Sequence, residues 1–600
     1  MHPIAHTRPS QLSRRHFVTG SLGALALATT GVRVHAAATA IAPHPELRGT
    51  DFTLDIGYQN VNFTGSRRIA TTINQSLPAP TLRVREGDSV RLRVRNALAV
   101  DTSIHWHGIV LPANMDGVPG LSFAGIKPGE SFEYQFTAKQ HGTYWYHAHS
   151  GHQEQTGLYG ALIIDPREPE PFHYDRDYVV LLSDWSDEDP DVVFNKLKKM
   201  SHYYNRNERT TGDLWQEIRS KGVMQSWNDR KMWNQMRMSE RDISDVTGYT
   251  YTFLMNGQTP EQGWRSLFKK GETVRLRFIN AAAMTFFDVR IPGLKMTVVA
   301  ADGQNVQPVL VDEFRIGTAE TYDVLVTPDD GAYTIFAQAM DSSGYARGTL
   351  ASHAELEAEI PALDSTPVLN HIDMGMAHGA HASMNNDSAN GTMDHSSMDH
   401  SKMDHAAMNH GGHSGIAPAG NGSTTPIKPL QKIDSVQIDM MAEAPQYRLD
   451  DPGVGLRDHK EKYGRRVLTY ADLRNLHPTP DPRDPTREIQ MHLTGNMHRY
   501  LWSIDGVPYE YAEPLQLKYG ERVRITLINN TMMNHPFHLH GMWSDLETGD
   551  AKYIPRKHTV IVQPGAKISY LVTADAYGRW AYHCHLMYHM MMMFREVRVV

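Results

Sequence analysis

Gly87-Asp-Ser-Val-Arg-Leu-Arg-Val-Arg-Asn96 is a stretch that this chain contains in three related versions. After a turn at the glycine, apolar and polar residues alternate strictly, with Val90, Leu92 and Val94 on one face. A period of two residues is typical of a strand that is buried on one side only. The other versions are Gly271-Glu-Thr-Val-Arg-Leu-Arg-Phe-Ile-Asn280 and Gly520-Glu-Arg-Val-Arg-Ile-Thr-Leu-Ile-Asn529.

A second element, five residues that begin with a glycine, also occurs three times, at Gly142, Gly331 and Gly578. Each copy follows a run of residues that is typical of a strand. Short strands separated by turns, with few long helical patterns, predict β-sandwiches. We therefore expect an all-β chain with three related units at 45–168, 172–360 and 431–600, and a helical insert in the second unit at about 190–245. The second element reads Gly142-Thr-Tyr-Trp-Tyr146, Gly331-Ala-Tyr-Thr-Ile335 and Gly578-Arg-Trp-Ala-Tyr582.

The composition limits the possible functions. A chain of 600 residues is long enough for three or four domains. The net charge of −8 is small for this length and argues against nucleic acid or an anionic membrane surface as a partner. There are 33 His and 30 Met residues, but Cys584 is the only cysteine and cannot form an internal disulfide.

The first residues are typical of an export signal. Arg14 and Arg15 precede a weakly apolar stretch, 18–31, and three alanines at 36–38. This arrangement predicts a twin-arginine signal over 1–38 and export to the periplasm; a general secretory signal with a chance arginine pair is the alternative. No other stretch reaches the roughly 18 apolar residues that cross a bilayer, so we expect no membrane span.

Four His-x-His pairs stand at matching positions in the first and third units. In each of these units, one pair lies nine and eleven residues after the asparagine that ends the repeated stretch, Asn96 or Asn529. The other pair lies five and seven residues after the glycine that begins the second element, Gly142 or Gly578. The middle unit has Val289, Ile291, Phe336 and Gln338 at these positions. The eight histidines are His105, His107, His147, His149, His538, His540, His583 and His585.

These pairs predict a metal centre between the first and third units. On a strand, residues i and i+2 point to the same face, so each pair presents two imidazoles side by side. A single pair of this kind is usually a surface feature, but four matched pairs favour metal binding. Imidazole suits copper, whereas magnesium and calcium prefer oxygen ligands, and a zinc site needs only four ligands.

The histidine motifs resemble the copper-binding motifs of multicopper oxidases, a family that includes laccases and ascorbate oxidase, over about residues 45–600. The arginine pair, the Met-His repeats described below and the C-terminal Met593-Phe-Arg-Glu-Val-Arg-Val599 resemble the copper-resistance protein A subfamily. The resemblance implies three cupredoxin domains and four copper ions. Its motifs are His105-Trp-His107-Gly, His147-Ala-His149, His535-Pro-Phe-His538-Leu-His540 and His583-Cys-His585-Leu-Met-Tyr-His589.

The resemblance also implies a role for each ligand. The sulfur of Cys584 should point away from its neighbouring histidines, because it lies between them on a strand. There it would complete the trigonal His₂Cys set of a type 1 copper, with Met593 as the weak axial ligand or, alternatively, Phe594. The type 1 ligands are then His535, Cys584 and His589; the type 2 ligands are His105 and His538; and the type 3 ligands are His107, His147, His149, His540, His583 and His585.

Two further residues are expected to take part in the reaction. Cys584 should carry electrons from the type 1 copper to the cluster. Asp116, in Asn114-Met-Asp-Gly-Val-Pro119, resembles the carboxylate that the family places beside the type 2 copper, and we expect it to deliver protons. The alternative for Asp116 is an ordinary turn aspartate before a glycine.

A polar segment, 361–430, separates the second and third units and contains a five-residue Met-His repeat. It is rich in Gly, Ser and Ala, and we expect it to be disordered by itself. Thioethers prefer Cu(I) and imidazoles accept either copper state, so the repeat predicts accessory copper binding; a linker of accidental composition is the alternative. The repeat residues are Met393, His395, Met398, His400, Met403, His405, Met408 and His410.

The function implied by the resemblance is oxidation of Cu(I) to Cu(II), coupled to reduction of O2 to water, in copper resistance. A laccase-like oxidase of small phenols is one alternative, and a copper-sequestering protein that acts through the Met-His repeat is another. A copper nitrite reductase is disfavoured because it needs fewer histidines. Other periplasmic copper-handling proteins are possible partners.

Overall fold

The computed structural model describes residues 45–236, 238–376, 415–430 and 438–600. The predicted signal, 1–38, and the Met-His repeat, 393–410, lie outside these residues. The strands of the described ranges form six sheets, two for each version of the repeated stretch. The predicted all-β fold is therefore confirmed.

The first two sheets pack face to face around one apolar core, to which buried side chains such as Leu54, Leu92 and Leu162 contribute. The five-stranded sheet contains, in spatial order, β1 (Glu46–Arg48), β4 (Ala79–Arg85), β9 (Tyr159–Asp165), β8 (Gly142–His147) and β6 (His105–His107). The four-stranded sheet contains β3 (Arg68–Ile73), β2 (Asp51–Val61), β5 (Ser89–Asn96) and β7 (Ser131–Thr137).

The middle pair of sheets has six and five strands. In spatial order, the six are β11 (Thr252–Met255), β10 (Arg176–Trp185), β13 (Val274–Asn280), β18 (Thr321–Val326), β15 (Met296–Ala301) and β16 (Gln304–Val311). The five are β12 (Trp264–Leu267), β20 (Tyr345–Ala351), β19 (Ala332–Ala339), β14 (Phe287–Arg290) and β17 (Glu313–Ile316).

The last pair of sheets repeats this arrangement and shares a continuous apolar core with the middle pair. Its six-stranded sheet contains β22 (Leu501–Ile504), β21 (Arg487–Asn496), β24 (Arg522–Asn530), β29 (Lys567–Thr573), β26 (Ser544–Leu546) and β27 (Arg556–Lys557). Its five-stranded sheet contains β23 (Leu515–Leu517), β31 (Phe594–Val599), β30 (Gly578–Cys584), β25 (His535–Leu539) and β28 (Thr559–Val562).

Within the described ranges, the helices are short and lie mostly in the insert of the middle unit. They are α1 (Pro190–Lys199), α2 (Thr211–Lys221), α3 (Val223–Met236), α4 (His459–Tyr463) and α5 (Met587–Met590). Asp189 caps α1, and Thr210 and Asp213 form a capping box at α2, which fixes where each of these two helices begins. Short 3-10 helices lie at Ala113–Met115, Tyr470–Asp472, Met497–Arg499 and Tyr509–Tyr511.

The repeated stretch forms the same strand in all three units. Strands β5, β13 and β24 each run parallel to the first long strand of their unit, and the glycine before each has a φ of 90°, 85° or 79°. Such positive φ angles favour glycine, which explains why the residue recurs. In β5 burial alternates as predicted.

In β13 and β24, however, both faces are buried, because other parts of the chain cover the outer face. The arginines of that face form buried ion pairs, which satisfy charges that would otherwise be costly to bury. Arg277, for example, donates to Asp177 and also reaches Thr143 of β8. Arg524 pairs with Glu547 and reaches the carbonyl of Pro418.

A buried asparagine lies at or next to the end of each repeated strand and holds the loop that follows. Its side-chain amide donates to at least two backbone carbonyls, and its side-chain oxygen accepts the N–H of the residue two positions later. The asparagines and the carbonyls they reach are Asn96 with Val100 and Ile126, Asn280 with Thr285 and Ile316, and Asn529 with Met533, Val562 and Gln563.

The middle unit has apolar side chains where the other two have histidines. Val289, Ile291 and Phe336 are buried there, and Gln338 accepts the N–H of Asp364. These positions therefore contribute to the core of the middle unit. Among the described residues, no helix is long and apolar enough to cross a membrane.

Replacing Asn280 by Ala should destabilise the protein by about 3 kcal/mol, because two buried carbonyls and one buried N–H lose their partner. Denaturant unfolding of the metal-free protein would measure this change. Asn60 lies exposed on β2, and Asn60→Ala should change the free energy of unfolding by less than about 0.5 kcal/mol. An equal effect of both changes would contradict the role assigned to the asparagine.

Candidate metal centre

Two strand pairings bring the eight histidines together. In the first unit, β6 and β8 are antiparallel, with His105 directly opposite His147. In the third unit, β25 and β30 are antiparallel, with His538 directly opposite His583. Directly opposite residues project from the same face of a sheet, so each unit presents its histidines on one surface.

The two histidine surfaces meet and form several groups, with ring nitrogens from both units within 4.8 Å of one another. The Nε2 atoms of His105 and His538 are 3.4 Å apart, and those of His540 and His583 are 3.1 Å apart. The groups include His107, His147 and His585; His149, His540 and His583; His105, His538 and His540; and His107, His538 and His558.

Burial favours the neutral, metal-binding form of several of these histidines. Burial lowers the pKa of His583 to about 4, and it lowers the pKa values of His107 and His585 well below the usual range. Within the described part of the chain, both ring nitrogens of His107 and of His585 lack a hydrogen-bond partner. Unpartnered buried nitrogens are costly, and a bound metal ion would satisfy them.

Carboxylates and carbonyls hold the other side of several rings. Asp116 joins the two units, because His105 Nδ1 donates to its carbonyl oxygen and His540 Nδ1 to its Oδ2, each at 2.8 Å. Glu154 lies 2.6 Å from Nδ1 of His147. Contacts of this kind fix the orientation of a ring and leave its Nε2 for a metal.

A separate group contains the single cysteine. The sulfur of Cys584 lies 3.4 Å from His535 Nδ1 and 4.0 Å from His589 Nδ1, and all three side chains are buried. The remote nitrogens are held by Thr531 Oγ1 at 2.8 Å and by Asp245 Oδ2 at 2.7 Å. Burial raises the pKa of the Cys584 thiol, so a soft metal would have to displace its proton on binding. One sulfur and two imidazoles form a donor set that suits copper.

The two candidates for the axial position lie in different surroundings. Phe594 pairs with His583 across β30 and β31 and stacks on its ring, with a centroid distance of 5.5 Å and an angle of 5°. It therefore lies on the histidine side of β30. Met593 is fully buried in the apolar cluster that contains Cys584, and its carbonyl accepts the N–H of Cys584.

Three residues near these groups were not found from the sequence. Asp245 comes from the loop after α3, Glu154 follows β8, and His558 precedes β28 with its ring 4.7 Å from His107. Each stands alone in the sequence, without a spacing that marks it. The residues of the Met-His repeat lie outside the described part of the chain, so the structure does not show where they are.

This fold and these side chains are typical of a family of copper enzymes, and family models described as multicopper oxidase match residues 55–169, 176–355 and 482–599. The chain belongs to the multicopper oxidase family. The family and the enzyme class predicted from the sequence are therefore confirmed. Copper cofactors follow from membership of this family.

Within the family, the chain is similar to proteins named for copper resistance. It is 56% identical to a copper resistance protein A homolog of Pseudomonas syringae pv. tomato, over 98% of this chain and 100% of the relative. It is 55% identical to copper resistance protein A of Escherichia coli, over 92% of this chain and 93% of the relative. The laccase structure from Botrytis aclada has a TM-score of 0.59 at 19% identity, covering 92% of this chain and 88% of that one, and supports the fold.

The low pKa of His583 predicts a pH effect on the copper-free protein. Unfolded histidine has a pKa near 6.5, so between about pH 6.5 and pH 4 the unfolded chain binds a proton that the folded chain does not. Stability is therefore lost as pH falls through this range, and His583 accounts for about 2 kcal/mol at pH 5. Denaturant unfolding measures the free energy of unfolding at pH 7 and at pH 5. The decrease between these two pH values should be smaller in His583→Gln than in the wild-type protein by this amount.

The exposed residue His173 provides the control for this measurement, because His173→Gln removes a histidine that lies outside the buried groups. If His583→Gln also keeps the full loss of stability between pH 7 and pH 5, the buried ring of His583 is not the source of the effect.

Proposed function

We propose that this chain is an oxidase that transfers electrons one at a time from Cu(I) to dioxygen and thereby serves copper resistance. The observation that carries the proposal is that Cys584 lies with His535 and His589 on one side of β30, while its neighbours His583 and His585 join the histidine groups on the other side. The relatives named for copper resistance support the choice of reaction.

The ligand assignment we propose is that of the sequence analysis. His535, Cys584 and His589 would hold a type 1 copper; His105 and His538 a type 2 copper; and the remaining six histidines a type 3 pair, making four copper ions. Met593 would be the further residue that holds the copper at Cys584, because it shares the apolar cluster of Cys584, whereas Phe594 stacks on His583. When bound, copper would supply one-electron redox chemistry at the thiolate group and oxygen reduction at the histidine groups.

The polypeptide provides a short path for electrons and a route for protons. Peptide bonds join Cys584 directly to His583 and His585, so an electron from the sulfur crosses little more than one residue of backbone. Reduction of one dioxygen to two waters consumes four electrons and four protons. We propose that Asp116 delivers protons, since its Oδ2 accepts from His540 Nδ1 and its Oδ1 lies 3.4 Å from His105 Nδ1.

Cu(I) is the proposed electron donor because the side chains of the cysteine group are buried and an organic donor cannot touch them. His589 is fully buried, and its Nε2 donates to Asp245, which also accepts a hydrogen bond from Tyr500. A phenol therefore cannot reach the ring of His589 directly. Three residues before Asp245 in the chain, Asp242 lines a cavity of about 220 Å³ together with Met238, Met497, two arginines and a histidine. Thioethers are the ligands that Cu(I) prefers.

We also propose that residues 1–38 direct the protein to the periplasm by the twin-arginine route. In this scheme the repeat at 393–410 binds additional copper and exchanges it with other copper-handling proteins of that compartment. The soft thioethers and the imidazoles of the repeat support this role.

Oxygen uptake by the copper-loaded mature protein tests the reaction, with Cu(I) and a methoxyphenol compared side by side. Fast uptake with Cu(I), slow uptake with the phenol and none for Cys584→Ser are expected, because the serine oxygen cannot replace the thiolate ligand. Faster uptake with the phenol would move the assignment to a laccase. No uptake with either donor, at full copper loading, would leave a copper-binding protein.

Replacing Asp245 by Asn should lower kcat/KM for Cu(I) by on the order of 10-fold, because the negative charge beside His589 is lost. The steady-state rate with a phenol should fall less. Asp341→Asn is a matched control, since Asp341 is a buried aspartate of the middle unit that accepts from Ser343 rather than from His589. Equal losses for the two donors in Asp245→Asn would argue against a specific role in Cu(I) oxidation.

A further inference from the structure

The proposed mechanism leaves unused a group of three charged residues that is completely buried between the middle and third units. The ammonium of Lys557 lies 3.0 Å from Asp302 Oδ2 and 3.0 Å from Glu320 Oε1. Asp302 and Glu320 belong to the middle unit, whereas Lys557 ends β27 of the third unit. A buried ion pair is weak evidence for stability, because desolvation offsets most of the attraction. The group therefore needs another explanation.

Asp302 uses its remaining acceptor positions on backbone groups of both units. Its Oδ2 accepts the N–H groups of His558 and Thr559, each at 3.1 Å, and its Oδ1 accepts the N–H of Thr321 at 3.0 Å. Glu320 is fixed in the same way, because its Oε1 accepts from Tyr470 and its Oε2 from the N–H of Gly317. Both oxygens of each carboxylate thus accept hydrogen bonds, and these hydrogen bonds fix the positions of the two carboxylates.

The backbone held by Asp302 in turn holds a histidine of the metal centre. The carbonyl of His558 accepts from His538 Nδ1 at 2.5 Å, and Thr559 pairs with His538 across β25 and β28. His538 is therefore linked to Asp302 through a single residue of backbone. Its Nε2 is the atom that lies 3.4 Å from His105 Nε2 of the first unit.

The turn that carries Asp302 also touches the first unit. Asp302 and Gly303 connect β15 to β16 with φ angles of 48° and 77°, which makes the turn tight. Gly142, at the start of β8, packs so closely on Gly303 that a Cβ at Gly142 would lie 2.1 Å from the Gly303 carbonyl oxygen. Strand β8 ends at His147, so this one turn contacts elements that carry histidines in both units.

We propose that Asp302, held in place by Lys557 and Glu320, is a positioning residue for the metal centre: it fixes the backbone at His558–Thr559 and thereby the ring of His538. In this way the middle unit, which has no histidine pair of its own, takes part in building the site. The inference rests on the proposed assignment of His538 as a ligand of the type 2 copper.

The test compares the copper-loaded Asp302→Ala variant with the wild-type protein. Outer contacts of a ligand histidine are worth on the order of 10-fold to 100-fold in metal affinity. We therefore expect copper to leave the type 2 site at least on the order of 10-fold faster in the presence of a chelator, with an altered type 2 electron paramagnetic resonance signal. The visible absorption of the type 1 copper should be unchanged, since Asp302 does not touch its ligands.

Glu547 provides the matched control for a general loss of stability. It is fully buried in the third unit, pairs with Arg524 at 2.7 Å and accepts the N–H of Gly420. Both Asp302→Ala and Glu547→Ala should lower the unfolding temperature, because each removes a carboxylate that pairs with a buried cation. The type 2 signal and the rate of copper release should change in Asp302→Ala only.

Asp302→Asn keeps the argument testable if the alanine variant does not fold. The amide oxygen still accepts backbone N–H groups, so copper release should be slower than in Asp302→Ala but faster than in the wild-type protein. A wild-type rate of copper release and a wild-type type 2 signal in Asp302→Asn would overturn the proposal, and so would losses in Glu547→Ala equal to those in Asp302→Ala. A wild-type protein without any type 2 signal would instead overturn the ligand assignment itself.

Discussion

The alternation of side chains along strand β30 is the constraint on which the arrangement of this molecule depends. Successive residues of a strand face opposite sides, so the cysteine and its two neighbouring histidines cannot take part in the same group of side chains. Two groups of side chains must therefore form, one on each side of the strand. They are joined through the backbone, because Cys584 is the neighbour of His583 and His585 in the chain. The antiparallel neighbour, β25, obeys the same rule, and His535 lies with the cysteine whereas His538 and His540 lie with the other histidines.

The sequence was sufficient for those features that depend on local spacing. The repeated strands and the His-x-His pairs are visible because their periodicity is a property of neighbouring residues, and the structure brings all eight histidines together. The buried arginines of β13 and β24 could not be foreseen. The alternation of apolar residues and arginines is typical of a strand with one solvent-exposed face. Packing against segments that are distant in sequence buries that face in the folded protein.

Residues that support the metal centre from outside are the part that sequence reasoning missed. Asp245, Glu154 and Asp302 come from loops, and each reaches its partner across a distance in sequence that no local pattern encodes. Asp116 was found only because its neighbours resemble a family motif. The choice between Met593 and Phe594 as a copper ligand likewise could not be made from their distance in sequence to Cys584. The pairing of Phe594 with His583 distinguishes the surroundings of the two residues.

Sharing the histidines between the first and last units makes assembly of the centre an all-or-none event. The chain must be synthesised as far as His585 before the last ligand pair exists, and the first and last units must then dock before any group that spans both units is complete. A partly made or wrongly docked chain lacks at least one histidine of every group that spans the two units. The group of Cys584 differs in this respect, because His535, Cys584 and His589 all belong to the last unit and need no docking.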